Sequence, residues 1–267
     1  MLALSIILTA DINTTKNCVW ILITKNLVNP SKEIDRSNVP MIPLFMNGRQ
    51  LCSMRIRWHG HSCFEFSNGD TTIVVDPHDG RSLGIRPPVA SANTVLMTHD
   101  HYDHNASRVI KGEHKDLKFA YGLNEIHGGI KVNGYESWHD HNEGAERGAN
   151  TIYRFDMEGI SICHCGDLGC IPSKGVIDAI KGVDFLFIPV GEVYTMEIPE
   201  VKEFIELVNP RIIVPMHFMV GGLSFRLSSL DKFLDIIPNE SVDFIGNELE
   251  ITSADLPENK ECWVFDH

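Results

Sequence analysis

From Met54 onward the chain alternates short apolar runs with turn-forming residues. Met54 to Trp58, Ser62 to Phe66 and Thr71 to Val75 are rich in β-branched and aromatic residues and predict three strands. Asn68-Gly69-Asp70 between the last two predicts a hairpin. Residues 79 to 93 carry Gly80, Gly84, Pro87 and Pro88 and predict a loop. A strand follows at 94 to 98, then a helix over Asn105 to Lys111 with Asn105 as its N-cap. Leu117 to Ala120, Lys131 to Glu136, Thr151 to Asp156 and Ile160 to Cys165 predict further strands.

The second half changes rhythm. Residues 173 to 181 predict a helix capped by Ser173. Asp184 to Val190 is a continuous apolar run, the mark of a strand buried on both faces. Pro199 to Val208 predicts a helix, with Val201, Phe204, Ile205 and Val208 on one side. Arg211 to Val214 predicts a strand, Leu227 to Ile236 a helix, and Val242 to Ile251 a closing hairpin around Gly246-Asn247. Strands first and strand-helix alternation later imply an α+β sandwich of two sheets with helices outside.

Residues 1 to 53 lack this rhythm. Asn29-Pro30, Asn38-Val39-Pro40 and Ile42-Pro43 interrupt regular structure. The expectation is an irregular N-terminal extension over 1–53, outside the domain or even the product of a start codon set too far upstream, and a domain over 54–267. The competing expectation is a real structural segment. The opening Met1 to Ala10 is apolar but has no basic residue before it, unlike a signal peptide.

The formal net charge is -13, from 36 acidic and 23 basic residues. That balance argues against nucleic-acid and anionic-membrane partners, which want a basic face. Bound cations would offset it locally, so a small anionic substrate stays compatible. No run of about eighteen apolar residues predicts a membrane span. Seven cysteines (Cys18, Cys52, Cys63, Cys163, Cys165, Cys170 and Cys262) are an odd and irregular set. They fit reduced thiols in a cytoplasmic protein better than a disulfide framework. Cys163-His164-Cys165 with Cys170 is a conceivable zinc group, but Cys163 and Cys165 share one strand face and are expected in the core.

The chemistry concentrates where the strand at 94 to 98 ends. His99-Asp100-His101-Tyr102-Asp103-His104 puts three histidines and two aspartates into six residues. Ordinary loops favour Gly, Ser and Asn, so a merely solvated loop explains this poorly. Imidazole with carboxylate suits zinc, manganese or iron rather than calcium or magnesium. Three later positions share the character: His139 after Trp138, Asp167 after Cys165-Gly166, and His217 after Val214-Pro215-Met216. Each lies at or just beyond the end of an apolar strand.

Thr98-His99-Asp100-His101-Tyr102-Asp103-His104 resembles the HxHxDH signature of the metallo-β-lactamase superfamily. Trp58-His59-Gly60-His61-Ser62-Cys63-Phe64, Val75-Asp76-Pro77, Cys165-Gly166-Asp167-Leu168-Gly169, Pro189-Val190-Gly191, Tyr194-Thr195-Met196 and Val214-Pro215-Met216-His217 extend the likeness over most of 54–220. They are similar to a branch of small zinc-dependent hydrolases related to ascorbate-phosphate lactonases. The resemblance implies a four-layer αββα sandwich with two divalent metal ions at a sheet edge, zinc first, manganese or iron as alternatives. Carried over, His99, His101 and His139 hold the first ion, Asp103, His104 and His217 the second, and Asp167 bridges. His101 stands where redox-active iron members of the superfamily typically carry Glu, which favours hydrolysis.

The implied reaction is attack of a metal-activated hydroxide on a small ester, lactone or phosphoester. Asp103 and His61 are the candidates for catalytic work beside the metals; for His61 a structural role is the equal alternative. Asp76 is expected to orient a ligand histidine, His59 to pack locally, and Tyr194 and Thr195 to line the pocket mouth. His141, two residues after His139, is a substitute ligand or proton donor. Glu197 departs from the glycine usual after Thr-Met. The rival readings are a nuclease of the same fold and a metal-retaining binding protein without turnover.

Overall fold

A computed structural model describes residues 53–238 and 241–266, together with the backbone of short strands within residues 8–50. The chain divides into two compact units, Met1–Ser53 and Met54–His267. In the first, Leu8–Asp11 pairs antiparallel with Trp20–Ile23, which also pairs with Ile42–Pro43. Cys18 and Cys52 lie outside the described residues.

The second unit carries fourteen strands: β1 (Met54–Trp58), β2 (Phe64–Ser67), β3 (Thr72–Val75), β4 (Thr94–Met97), β5 (Lys115–Lys118), β6 (Gly122–Glu125), β7 (Lys131–Trp138), β8 (Ala149–Met157), β9 (Ile160–His164), β10 (Phe185–Pro189), β11 (Ile212–Met216), β12 (Val242–Gly246), β13 (Glu248–Ile251) and β14 (Glu261–Phe265). Helices α1 (Lys174–Ile180) and α2 (Ile198–Val208) lie between β9, β10 and β11, and α3 (Leu230–Leu234) follows. One sheet has the order β5-β4-β3-β2-β1-β13 and the other β6-β7-β8-β9-β10-β11-β14-β12.

The sheets face each other through aromatic side chains. Phe64 on β2 meets Phe187 on β10 with ring centroids 4.6 Å apart, and Phe66 meets Phe155 on β8 at 5.3 Å. These edge-on contacts suit the ring quadrupoles, and each fully buried ring contributes roughly 1.5–3 kcal/mol from lost water contact. Alternate residues point the other way. Cys63, Val74, Val95 and Met97 form a separate cluster on the outer face of the six-stranded sheet, with Val109 and Ile110 against it. α2 places Ile198, Val201, Phe204, Ile205 and Val208 in the main core. The expected sandwich is therefore present.

The predicted hairpin over Asn68-Gly69-Asp70 joins β2 to β3. Asn68 Oδ1 accepts from the N–H groups of Asp70 and Thr71. Three expectations need correction. The predicted helix over Asn105 to Lys111 is a single 3₁₀ turn, Ser107–Val109, and Asn105 does not cap it. Its amide donates instead to Asp100 Oδ1 at 2.8 Å, and Lys111 is drawn into backbone pairing with Ala90 and Ala92. The helix predicted over Leu227 to Ile236 shortens to α3. The closing hairpin does not form. β12 pairs parallel with β14 in one sheet, whereas β13 pairs antiparallel with β1 in the other. The chain crosses between layers at Asn247, whose carbonyl accepts from Trp58 N–H at 2.8 Å. β6 and β14 were not predicted; the apolar Cys262 to Phe265 was the available signal for β14.

Among the described residues no helix is long and apolar enough to cross a membrane.

Candidate metal centre

β4 ends at Met97, and the next seven residues turn across the sheet edge. Asp76, just past β3, fixes the turn. Its carboxylate accepts from Thr98 N–H at 2.8 Å and Thr98 Oγ1 at 2.7 Å. The same carboxylate lies 3.0 Å from His104 Nδ1. Asp76 thus orients a histidine of the cluster, as its place before Pro77 suggested. It does so from a left-handed backbone, φ 48°.

The later residues arrive from the other sheet. His139 follows β7, and its N–H donates to Gly148 O. Asp167 follows β9 through Gly166. At φ 56°, a Cβ on Gly166 would fall 2.4 Å from Asn150 Oδ1 and 2.6 Å from Thr98 Oγ1, so glycine is required. Asp167 N–H donates to that same Asn150 Oδ1 at 3.1 Å. His217 follows β11 with φ 55°, packed so closely that a Cβ on Gly191 would meet its carbonyl oxygen at 2.0 Å. His61 sits in the turn between β1 and β2, also at positive φ.

All seven predicted ligand positions converge. His99, His101 and His139 form one group whose ligating atoms lie within 4.8 Å of one another; Asp103, His104 and His217 form a second on the same criterion. Asp167 stands between them. Its Oδ2 is 3.8 Å from His99 Nε2, 3.4 Å from His139 Nε2, 3.2 Å from His104 Nε2 and 3.1 Å from His217 Nε2. His61 joins the second group outright, with Nε2 at 3.2 Å from Asp103 Oδ2 and its ring 4.2 Å from that of His217.

Other candidates stand apart. His141 is exposed and pairs with Glu200 Oε1 at 2.7 Å, away from either group. His59 pairs with Glu65 at 3.0 Å, a local packing role. Cys163 and Cys165 are buried free thiols in the core. Glu197 is the N-cap of α2, reciprocally bonded with Glu200, so its departure from glycine serves the helix.

Burial and charge set the protonation of the cluster. Burial, then His217, lowers His61 to about 3. Burial and His104 hold His99 well below the usual histidine range, and burial lowers His139. These imidazoles are neutral near pH 7, the state in which they ligate metals. His104 is the exception. Burial opposes its charge, but Asp167, Asp103 and Asp76 outweigh it and raise its pKa. Despite burial, His104 and His217 hold Asp167 well below the usual carboxylate range, and His104 with His61 does the same for Asp103.

The residues fit a divalent cation. His99 Nε2, His104 Nε2 and Asp167 Oδ1 are buried without hydrogen-bond partners among the described residues. Such orphaned atoms are costly, roughly 1–3 kcal/mol each, unless something binds them. Mainly imidazole donors with two carboxylates suit zinc, manganese or iron. The groups open onto a cavity of about 310 Å³ lined by His101, Tyr102, Asp103, His139, Arg147, Asp167, Tyr194, His217 and Phe225. Tyr194 lines it as expected; Thr195 is buried. Arg147 and Phe225 were missed, because nothing in their local sequence marks them.

The β-lactamase superfamily domain model matches residues 55–217. A UPF0173 metal-dependent hydrolase of Thermoplasma acidophilum is 29% identical over 189 residues, covering 62% of this chain and 84% of its own. One from Archaeoglobus fulgidus is 26% identical over 231 residues, covering 72% and 99%. Among solved structures, a zinc-dependent hydrolase of the metallo-β-lactamase superfamily, assigned as such without proof, from Thermotoga maritima matches with TM-score 0.65 and 32% identity, covering 79% of this chain and 98% of that one. With its signature motif, its paired sheets and the family match in agreement, the chain belongs to the metallo-β-lactamase superfamily.

Proposed function

We propose that this protein is a metal-dependent hydrolase of a small ester, lactone or phosphoester, working with two divalent ions, zinc first. The observation that carries the proposal is Asp167 Oδ2 standing within 3.1–3.8 Å of four histidine nitrogens drawn from both groups. His99, His101 and His139 would hold one ion, and Asp103, His104 and His217 the other, with His61 beside them and Asp167 shared. When bound, such a pair supplies Lewis acidity and acidifies water for nucleophilic attack.

The chain's own residues then have distinct tasks. Asp76 fixes the His104 ring through Nδ1 and the His99 turn through Thr98. His61 Nε2 lies 3.2 Å from Asp103 Oδ2, and Asp103 in turn lines the cavity. From there the ionised Asp103 carboxylate can accept a hydrogen bond from, and so orient, an attacking water. Tyr102, Tyr194 and Phe225 give the cavity aromatic walls that displace water from a substrate body. A volume of about 310 Å³ suits a metabolite-sized substrate.

The description of the relatives as metal-dependent hydrolases supports this class. The excess of acidic residues supports a small-molecule substrate over nucleic acid or a membrane surface. The buried free thiols support a reducing, cytoplasmic setting. The test is a panel of phosphodiesters, lactones and thioesters assayed with zinc and with manganese, with His101→Ala as control. Hydrolysis of one class, abolished by His101→Ala, is expected. Turnover unaffected by that substitution overturns the assignment.

A further inference from the structure

The loop after His139 carries a cation to the cavity and holds it there. Asp140, next to the ligand histidine, accepts four backbone N–H groups. Asn142 and Gly144 donate to Oδ1, Glu146 and Arg147 to Oδ2, at 2.7–3.0 Å. These bonds curl residues 140–147 back over the site and fix the backbone of Arg147. Its guanidinium lies over the Tyr194 ring, 4.3 Å from the centroid. A ring beneath the guanidinium carbon covers one face of the group and leaves its N–H edge available for an oxyanion. Arg147 has no carboxylate partner among the described residues, whereas Arg55, Arg57, Arg108 and Arg211 each have one.

We propose that Arg147 is a substrate-binding residue that selects anionic substrates, gripping a carboxylate or phosphoryl group set apart from the scissile bond. The inference rests on the hydrolase reading and narrows its substrate class. The cavity supplies the rest of the match. Tyr102, Tyr194 and Phe225 flank the organic body, and the metal groups face the scissile end. A guanidinium held by ring and loop loses little freedom on binding, so its charge-assisted hydrogen bonds retain most of their strength.

The test uses the zinc-loaded full chain and simple anions as probes. Acetate presents one carboxylate, which the metals alone can take. Succinate and phosphonoacetate present a second anionic group at a distance. Calorimetric titration of the wild type, R147Q and R147K is compared with zinc content per chain. Succinate or phosphonoacetate is expected to bind R147Q about tenfold or more weakly, with R147K between. Acetate affinity and zinc content stay unchanged. The stronger of the two dianions in the wild type shows whether carboxylate or phosphoryl is preferred. Equal loss for acetate and the dianions, no loss for any, or no dianion binding to the wild type overturns the role of Arg147 alone. A chain that retains no zinc overturns the hydrolase reading, and this inference with it.

Discussion

The two halves of the metal centre are built differently. The half formed by His99, His101 and His139 is three imidazoles in contact, ring centroids 4.6–4.9 Å apart. Its outer support runs through Thr98, whose Oγ1, bonded to Asp76, lies 2.9 Å from His99 Nδ1, while His139 Nδ1 has no hydrogen-bond partner among the described residues. The half formed by His61, Asp103, His104 and His217 mixes charge with imidazole and is buttressed by Asp76. The first has imidazole donors only; the second adds the Asp103 carboxylate and the Asp76 contact to His104, although His61 Nδ1 and His217 Nδ1, like His139 Nδ1, lack hydrogen-bond partners among the described residues. Donor number alone does not set how tightly a site holds. Outer hydrogen bonds and local charge do so as well, and on that basis the second half should be the tighter one.

The largest expected effect comes from erasing the difference. Asp167 touches both halves, so Asp167→Ala should lower metal affinity at both. The loss should exceed the 10–100-fold typical of outer partners. Metal titration of the purified variant reads this directly.

Splitting the halves comes next. His101→Ala should empty the first half and leave one ion in the second; His217→Ala should weaken the second more than the first. Counting ions per chain after equilibration with limiting zinc distinguishes them. Asp76→Asn sharpens the comparison further. It should cost the second half about 10–100-fold in affinity and lower stability by roughly 1–3 kcal/mol, since Thr98 and His104 lose a charged acceptor. Two-site zinc titration and thermal melts check the two parts.

The pH response of metal-free protein sharpens the comparison in a different way. His61 is lowered from 6.5 to about 3 and His78 to about 4, both chiefly by burial. The unfolded chain therefore binds more protons in that range. Stability present above pH 6.5 is lost as pH falls toward 4 and then 3, at up to about 1.4 kcal/mol per pH unit for each group. His104, with a raised pKa, has the opposite sign. Its contribution is full below 6.5 and is lost as pH rises through its folded value. Metal must displace that proton, so zinc binding should release it and weaken as pH falls. Chemical denaturation across pH and proton release on titration measure the two responses.

Much of the centre was legible because its residues sit at the ends of apolar strands. The strands were recognisable by their side chains, and strand ends at one sheet edge necessarily meet. The HxHxDH run needed no tertiary information. His61 was harder to place. A Gly-His-Ser turn reads equally as structure or as site, and only its approach to His217, from a backbone at positive φ, puts it among the donors. Arg147 was illegible because its position depends on four backbone bonds to Asp140 and on the ring of Tyr194, 47 residues further along the chain. The false hairpin at Gly246-Asn247 shows the same limit. A turn signal says that the chain reverses or bends, but not which sheet receives the next strand. A regular pattern sets in at Met54 and motivates a boundary there. We propose that residues 54–267 fold and bind metal without 1–53; failure of that fragment to fold or hold metal would contradict it.

The central claim is that one buried carboxylate joins two unlike metal groups. It is tested most directly by metal content per chain, measured by elemental analysis on native protein and on His101→Ala and His217→Ala. The account predicts two divalent ions in the native chain and one in each variant. No bound ion, or a single ion lost equally in both variants, would contradict it.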